Sequence, residues 1–369
     1  MKYIFSVLIF LHGTIHLMGF VKGFNLASIE GLSGNITRTA AIFWLLAFIL
    51  FVVSGTGYLA GKLFWPVTAI AALVISAILI TGMWSETKYG MIPNLIILAV
   101  TITFLSSCSI SKMVSREKDN ILSGLTFSDD VLITETDIAG LPVPVYNWLK
   151  STGIVGKPKI YCARINQTAL MKMKPGQKDW YKAEALQYTT TENPAFIWTV
   201  KMNMAPVIKI KGRDKFVDGK GEMLIRMNSL VNIVNEKGEK LDEGTLQRYL
   251  GELVWLPSLA TSPYITWEQI DDFTAKATMT YKETEGSGVF HFNEHGDFVK
   301  FTALRFKGNE NDARRHNWVL TVDDYSFFEG IKVPSKMKAT WELDEGDWTW
   351  LKLEVINIRY NDIDDLTEL

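Results

Sequence analysis

Four apolar runs constrain this chain more than any other feature: residues 3–21, 39–60, 64–83 and 92–111. Each is close to the roughly 20 residues that a helix needs to cross about 30 Å of hydrocarbon. Between Tyr3 and Ile110 the only Lys, Arg, Asp or Glu residues are Lys22, Glu30, Arg38, Lys62, Glu86 and Lys88. The polar linkers "KGFNLASIEGLSGNITR", "AGKLFWP" and "WSETKYGMIPN" separate the runs. Trp44, Trp65 and Trp84 fall near the run ends, where amphipathic rings favour a membrane interface. The first run is not read as a cleaved leader: it lacks a small-x-small site, holds two histidines and precedes three more runs. The expectation is an all-α module of four transmembrane helices over residues 1–112, hence a multi-pass membrane protein.

Basic residues near the run ends give an orientation. Lys2, Lys62, Lys112, Arg116 and Lys118 fall on one side, and Lys22, Arg38 and Lys88 on the other. Five against three favours a cytoplasmic location for both termini. Against it stands "LSSC", residues 105–108, which matches the small-residue pattern before a lipidated cysteine and would put Cys108 outside. Cys108 and Cys162 are the only cysteines, so neither a disulfide framework nor a cysteine-rich metal site can be built. A net charge of −2 with no basic run argues against a nucleic-acid partner.

Beyond residue 112 the pattern changes. Residues 113–157 read as a linker and a short helix, "VYNWLKSTG", stopped by Gly153. From 158 to 369 the period is two. "AFIWTVKMN", "PVIKIKGRDKF", "GEMLIRMNSLVNIVN", "FTAKATMTYKE", "NWVLTVDDYSF", "KVPSKMKATWEL" and "WTWLKLEVINIRYN" read as strands, joined by the turns "DGKG", "EKGEK", "NEHGD" and "FEGIK". One helix interrupts them, "DEGTLQRYLGELVWLP", with Leu246, Tyr249, Leu250 and Val254 on one stripe. The fold class is therefore a four-helix module followed by a mainly antiparallel β domain with a few helices laid against it.

Met171 and Met173, Met202 and Met204, and Trp348 and Trp350 alternate, which puts each pair on one strand face. With Trp255 of the helical segment they form either ordinary core or an adaptable apolar lining for a variable ligand.

A long antiparallel run with a helix near its middle closes with "VDDYSFFEGIKVPSKMKATWEL", whose Gly330 turn and "KVP" at 332–334 are its most distinctive part. This resembles the lipoprotein-carrier fold, a half-barrel of bacterial lipoprotein-sorting and lipid-binding proteins, over roughly residues 158–360. The resemblance implies a curved sheet and a lipid or lipidated-protein partner. The chain also resembles a bacterial family of uncharacterised four-helix membrane proteins, through "RYLGELVWLPSLATSP" and "ITWEQIDDFTAKATMTY" within 248–281, "WSETKYGMIPN" and "IHLMGF". That family has no known function and lends no site residues; it implies the bacterial inner membrane.

Polar groups in the apolar runs form a second candidate site. His12 and His16, at i and i+4, share a helix face flanked by Gly13 and Gly19. They are read either as ligands to a metal, quinone or haem, or as hydrogen-bonding partners of Ser54 or Thr56 in the second run. Glu86 and Lys88 sit in an interfacial loop, to pair with each other or Arg38 or to meet a lipid headgroup. In the β domain, Arg248 and Glu252 read as a surface i, i+4 pair, and Glu268, Asp271 and Asp272 in "WEQIDD" as a solvated acidic turn. His291 and His295 flank "FNEHGD" without metal-ligand spacing, and "ARRHNW" is a basic knot before a strand. No nucleophile elbow, P-loop, dinucleotide fingerprint or H-E-x-x-H is present.

The reading that results is a non-enzymatic membrane protein without cofactor or metal, whose β domain holds an apolar or amphipathic ligand. Its expected partner is membrane lipid, with a lipidated protein as a further candidate. The alternatives are a membrane redox or metal enzyme built on His12 and His16, and a membrane scaffold or sensor.

Overall fold

The structure, a computed structural model, describes residues 2–32, 34–125, 130–205 and 208–362. Pro206 and Val207, read above as the start of a strand, lie outside the described residues. The chain divides into two compact units, Met1–Ile110 and Ser111–Leu369.

The first unit contains α1 (Lys2–Gly23), α2 (Arg38–Leu59), α3 (Trp65–Gly82), the single turn α4 (Trp84–Thr87), and α5 (Met91–Leu122), whose remainder belongs to the second unit. Thr37 caps α2 by accepting from the Ala40 N–H, and Pro66 opens α3 where no amide donor is needed. Four of these helices are long and apolar enough to cross a membrane. Their polarity is inverted relative to a water-soluble bundle. His12, His16, Ser54, Ser76, Asn94 and Thr101 are buried, whereas Ile4, Leu11, Ile42, Val67, Val74 and Ile92 are exposed. Close helix approach depends on glycine: a Cβ at Gly19 would stand 2.3 Å from the Trp44 ring of α2. Residues 113–120, the start of the stretch read as linker, are helical and extend α5 to Leu122.

The second unit continues with α6 (Glu135–Ile138) and α7 (Val143–Thr152), which Gly153 ends in the left-handed region at φ 72°. Six strands follow: β1 (Cys162–Met171), β2 (Tyr181–Thr190), β3 (Ala195–Ala205), β4 (Ile208–Val217), β5 (Lys220–Met227) and β6 (Val231–Lys237). After α8 (Glu239–Gly251) and two 3₁₀ turns come β7 (Ile265–Asp271), β8 (Thr274–Tyr281), β9 (Thr284–Phe292) and β10 (Phe298–Phe306). The long strands β11 (Arg315–Phe328), β12 (Ile331–Leu343) and β13 (Gly346–Tyr360) end the described chain.

All thirteen strands form one sheet in the order β6-β5-β4-β3-β2-β1-β13-β12-β11-β10-β9-β8-β7. Every pairing is antiparallel. The first and last strands meet in the middle, so the edges are β6 and β7, neighbours in sequence that do not pair among the described residues. The sheet is therefore open, not a closed barrel. The connection between its edges contains α8, which packs on β4, β5 and β6 from one arm and on β8, β9 and β10 from the other. The sheet curls around this helix, and Thr284 of β9 donates to the Gly219 carbonyl in the β4–β5 turn at 2.6 Å, tying arm to arm.

The core lies between α8 and the inner face of the sheet. Leu246, Tyr249, Leu250 and Val254, the stripe expected from sequence, are buried beside Phe196, Phe216, Phe290 and Phe301. Each such side chain stabilises the fold by about 1.5–3 kcal/mol. On the outer face Leu122 packs with Cys162 and Tyr188, and Glu117 of α5 bridges Arg213 and Lys215 of β4.

Two expectations about local structure are corrected. "GEMLIRMNSLVNIVN" is two strands, because Asn228 and Ser229 take positive φ and turn the chain. "WEQIDD" is not a turn: its residues through Asp271 belong to β7, an edge strand whose charged residues face solvent.

Candidate functional site

The inner face of the sheet carries a hydrogen-bonded polar network. Arg248 of α8 donates through Nη1 to Asp214 Oδ2 at 2.5 Å, through Nε to Glu252 Oε1 at 2.7 Å and through Nη2 to Gln187 Oε1 at 3.3 Å. Gln187 Nε2 donates to Glu252 Oε2 at 2.8 Å, and Trp198 Nε1 to Gln167 Oε1 at 2.9 Å. The Arg248 guanidinium also lies 4.8 Å from the ring centroids of Phe196 and Trp198. Burial alone would lower the Arg248 pKa, but Glu252 and Asp214 raise it above the ordinary value. The pair read as a surface i, i+4 contact is thus the centre of an interior cluster; its spacing indicates a shared helix side and carries no information about which side is covered.

Next to this cluster is Arg305 of β10. Its guanidinium carbon lies 4.2 Å from the Trp318 ring centroid and 5.7 Å from that of Trp341. A Cβ at Gly244 of α8 would stand 3.1 Å from Arg305 Nη2, so a glycine that costs helix stability leaves room for the guanidinium. Burial pulls the Arg305 pKa down to about 10.

Register places Ala303, Trp318, Trp341 and Trp348 side by side across β10, β11, β12 and β13. Trp350 joins this wall at the bulge where the β12–β13 register shifts. Trp341, Trp348 and Trp350 are half-buried, as are Met204 of β3 and Ile225 and Met227 of β5. All but Trp348 pack at the margin of the core. These side chains are partly exposed where the fully buried core ends.

The residues singled out from sequence divide accordingly. Met171, Met202 and Trp255 are buried, and Trp255 Nε1 donates to the Pro334 carbonyl at 2.9 Å. Met204 and Trp350 pack at the margin of the core, and Trp348 is half-buried beside Trp341. Met173 does not share a strand face with Met171: β1 stops at Met171, and Met173 is exposed in the turn that follows. Sequence reading missed Arg305, Trp318, Trp341, Asp214 and Gln187; the tryptophan register was hidden because it joins three strands. On the outside, Asp272, Glu294 and His295 line a surface cleft with Asn147 and Lys150 of α7.

In the helical unit His12 and His16 form one polar ring with two other helices. His12 Nε2 donates to Asn94 Oδ1 at 2.8 Å, and Asn94 Nδ2 donates to Ser76 Oγ at 2.9 Å. Ser76 Oγ donates to His16 Nε2 at 2.9 Å, and His16 Nδ1 returns to the His12 carbonyl at 2.8 Å, which fixes the tautomers. The expected partners are corrected: Ser54 donates to the Trp65 carbonyl at the start of α3, and Thr56 to the Val52 carbonyl of its own helix. Among the described residues no three His, Cys, Asp or Glu side chains gather as metal donors. Glu86 accepts from the Gly34 N–H at 3.1 Å, and Lys88 lies over the Tyr89 ring.

Fold and site together define an open antiparallel sheet wound on a helix, with an apolar, tryptophan-walled inner margin. The chain belongs to a family of unknown function, DUF6544, which matches residues 131–353. The match covers the block at 248–281 and stops short of the helical unit, so it does not extend to "WSETKYGMIPN" or "IHLMGF". No curated protein matches the chain. Among solved structures it is similar to a LolA-superfamily protein from Nitrosomonas europaea, at 12% identity and a TM-score of 0.35, over 61% of this chain and 96% of that one. It is also similar to a β-barrel-like protein of unknown function, DUF1849, from Brucella abortus, at 9% identity and a TM-score of 0.20, over 55% of this chain and 99% of that one.

Proposed function

We propose that this is a membrane-embedded binding protein whose β domain holds a lipid-like ligand, in the handling of envelope lipids or lipidated proteins. The observation that carries the reading is the unfinished inner margin, where Trp341, Trp348, Trp350, Met204, Ile225 and Met227 remain half-covered beside a closed core. Flexible methionines and broad indoles accommodate acyl chains of varied length, and each buried methylene contributes about 0.8 kcal/mol. The inverted polarity of α1, α2, α3 and α5 supports membrane insertion, since in water their exposed apolar faces would drive aggregation. Anchoring by those helices raises the effective concentration of a ligand leaving the bilayer.

Native mass spectrometry of the full chain released from detergent micelles tests this. Lipid adducts are expected in the wild type, and at least one class is lost in the Met204→Asp, Met227→Asp double variant. An identical adduct pattern in both proteins, or none in either, defeats the proposal.

A further inference from the structure

Arg305 makes no hydrogen bond or ion pair to any described residue, and its Nε is sealed from solvent without a partner. A guanidinium presents five donors, and leaving the Nε–H idle in a protein interior is costly. Asp214, Glu252 and Glu243 lie near enough to act on Arg305 through charge, but their ion pairs go to other arginines. Asp214 and Glu252 are held by Arg248, and Glu243 by Arg315. The same face holds further buried donors without a partner, Trp348 Nε1, Trp350 Nε1 and Gln167 Nε2, against the bare acceptors Asp214 Oδ1 and Gln247 Oε1. The margin is therefore apolar along its tryptophans and carries idle donors at Arg305, Trp348 and Trp350, the complement of an amphiphile with an acceptor-bearing head.

We propose that Arg305 receives the anionic head of the bound amphiphile while its acyl chain lies against Trp341, Trp348 and Trp350. The assignment rests on the binding function proposed above and adds the class of ligand: a chain ending in a carboxylate or phosphate, in preference to a neutral one. Gly244 gives the guanidinium its room, and Trp318 supports the opposite side. Arg248 already has its carboxylate and amide partners, and its cluster serves as the frame.

Competition by native mass spectrometry on the full chain in micelles separates the possibilities. Oleic acid and oleyl alcohol, offered at equal concentration, share a chain length and differ at the head. Wild type is expected to carry the acid about 10-fold or more over the alcohol, the size of one charged hydrogen bond. Arg305→Gln should abolish that preference while still binding the alcohol, and Arg305→Lys should retain part of it. Circular dichroism checks that both variants are folded. Equal binding of the two ligands in wild type, or an unchanged preference in Arg305→Gln, overturns this inference and leaves the binding function standing. Binding of neither ligand overturns both. Displacement of oleic acid by millimolar inorganic phosphate also overturns it, by marking a small-anion site.

Discussion

Arg305 lies 4.2 Å from the Trp318 ring and has no hydrogen-bond partner among the described residues, whereas Arg248, on the facing helix, is held by Asp214, Glu252 and Gln187. Two interior arginines thus occupy opposite electrostatic situations within one core. One completes a network, and the other is left with donors to offer.

Their removal is expected to differ in consequence. Arg248→Met strands the Asp214 and Glu252 carboxylates and should cost about 3–5 kcal/mol. Arg305→Met removes a cation that has no ion-pair partner and should change ligand-free stability by less than about 1 kcal/mol. Denaturant unfolding of the full chain in micelles, followed by tryptophan fluorescence, measures both. A large loss in Arg305→Met would assign that residue to the frame.

Much of the architecture is legible in the sequence, because apolar length and period report burial directly. The four long helices, the stripe on α8 and the late hairpin all follow from that pattern. The hairpin turn at Glu329 and Gly330 has positive φ at both positions, as a two-residue connection between twisted strands requires. The inner-face site is not legible in the same way. Arg248 meets Asp214 and Gln187 across 34 and 61 residues of chain, and the Trp318, Trp341 and Trp348 wall exists only in the register of three strands. Local spacing also misleads at strand ends, where Met171 and Met173 alternate in sequence although the strand has already stopped.

In the helical unit, Gly19 and Trp44 form a tight knob-and-groove contact. Gly19→Leu should separate α1 from α2 and lower stability by roughly 1–3 kcal/mol, the usual range for overpacking. Trp44→Ala in the same chain should recover part of the loss. Thermal unfolding in micelles across the double-mutant cycle checks the coupling, and additive effects would refute direct contact.

Low pH should loosen the outer face. Burial would raise the Glu222 pKa, but hydrogen bonds from Lys237 and Lys215 and the charges of Lys215 and Arg213 hold it at about 2, below its ordinary 4.5. A depressed carboxylate stabilises the fold above its unfolded pKa, and that contribution is lost as pH falls from about 4.5 to about 2. After screening by partial exposure the loss is about 1–2 kcal/mol. Glu222→Gln should flatten the stability profile over this interval, and a slope equal to that of wild type would assign the acid sensitivity elsewhere.

The arm-to-arm contact offers the most direct link between fold and binding. Thr284 Oγ1 donates to the Gly219 carbonyl and ties β9 to the β4–β5 turn across the opening of a sheet whose edges do not pair among the described residues. Thr284→Val keeps the shape, removes the donor and leaves a buried carbonyl unpartnered, a loss of about 1–2 kcal/mol. Because α8 lies between the arms, the first effect should be local opening rather than global unfolding. Hydrogen exchange should accelerate in the β4–β5 and β8–β9 turns, and ligand release should quicken by a similar factor if the arms must part for the chain to leave the inner face. Faster exchange with unchanged release would mean that the ligand enters and leaves by the tryptophan margin without any parting of the arms.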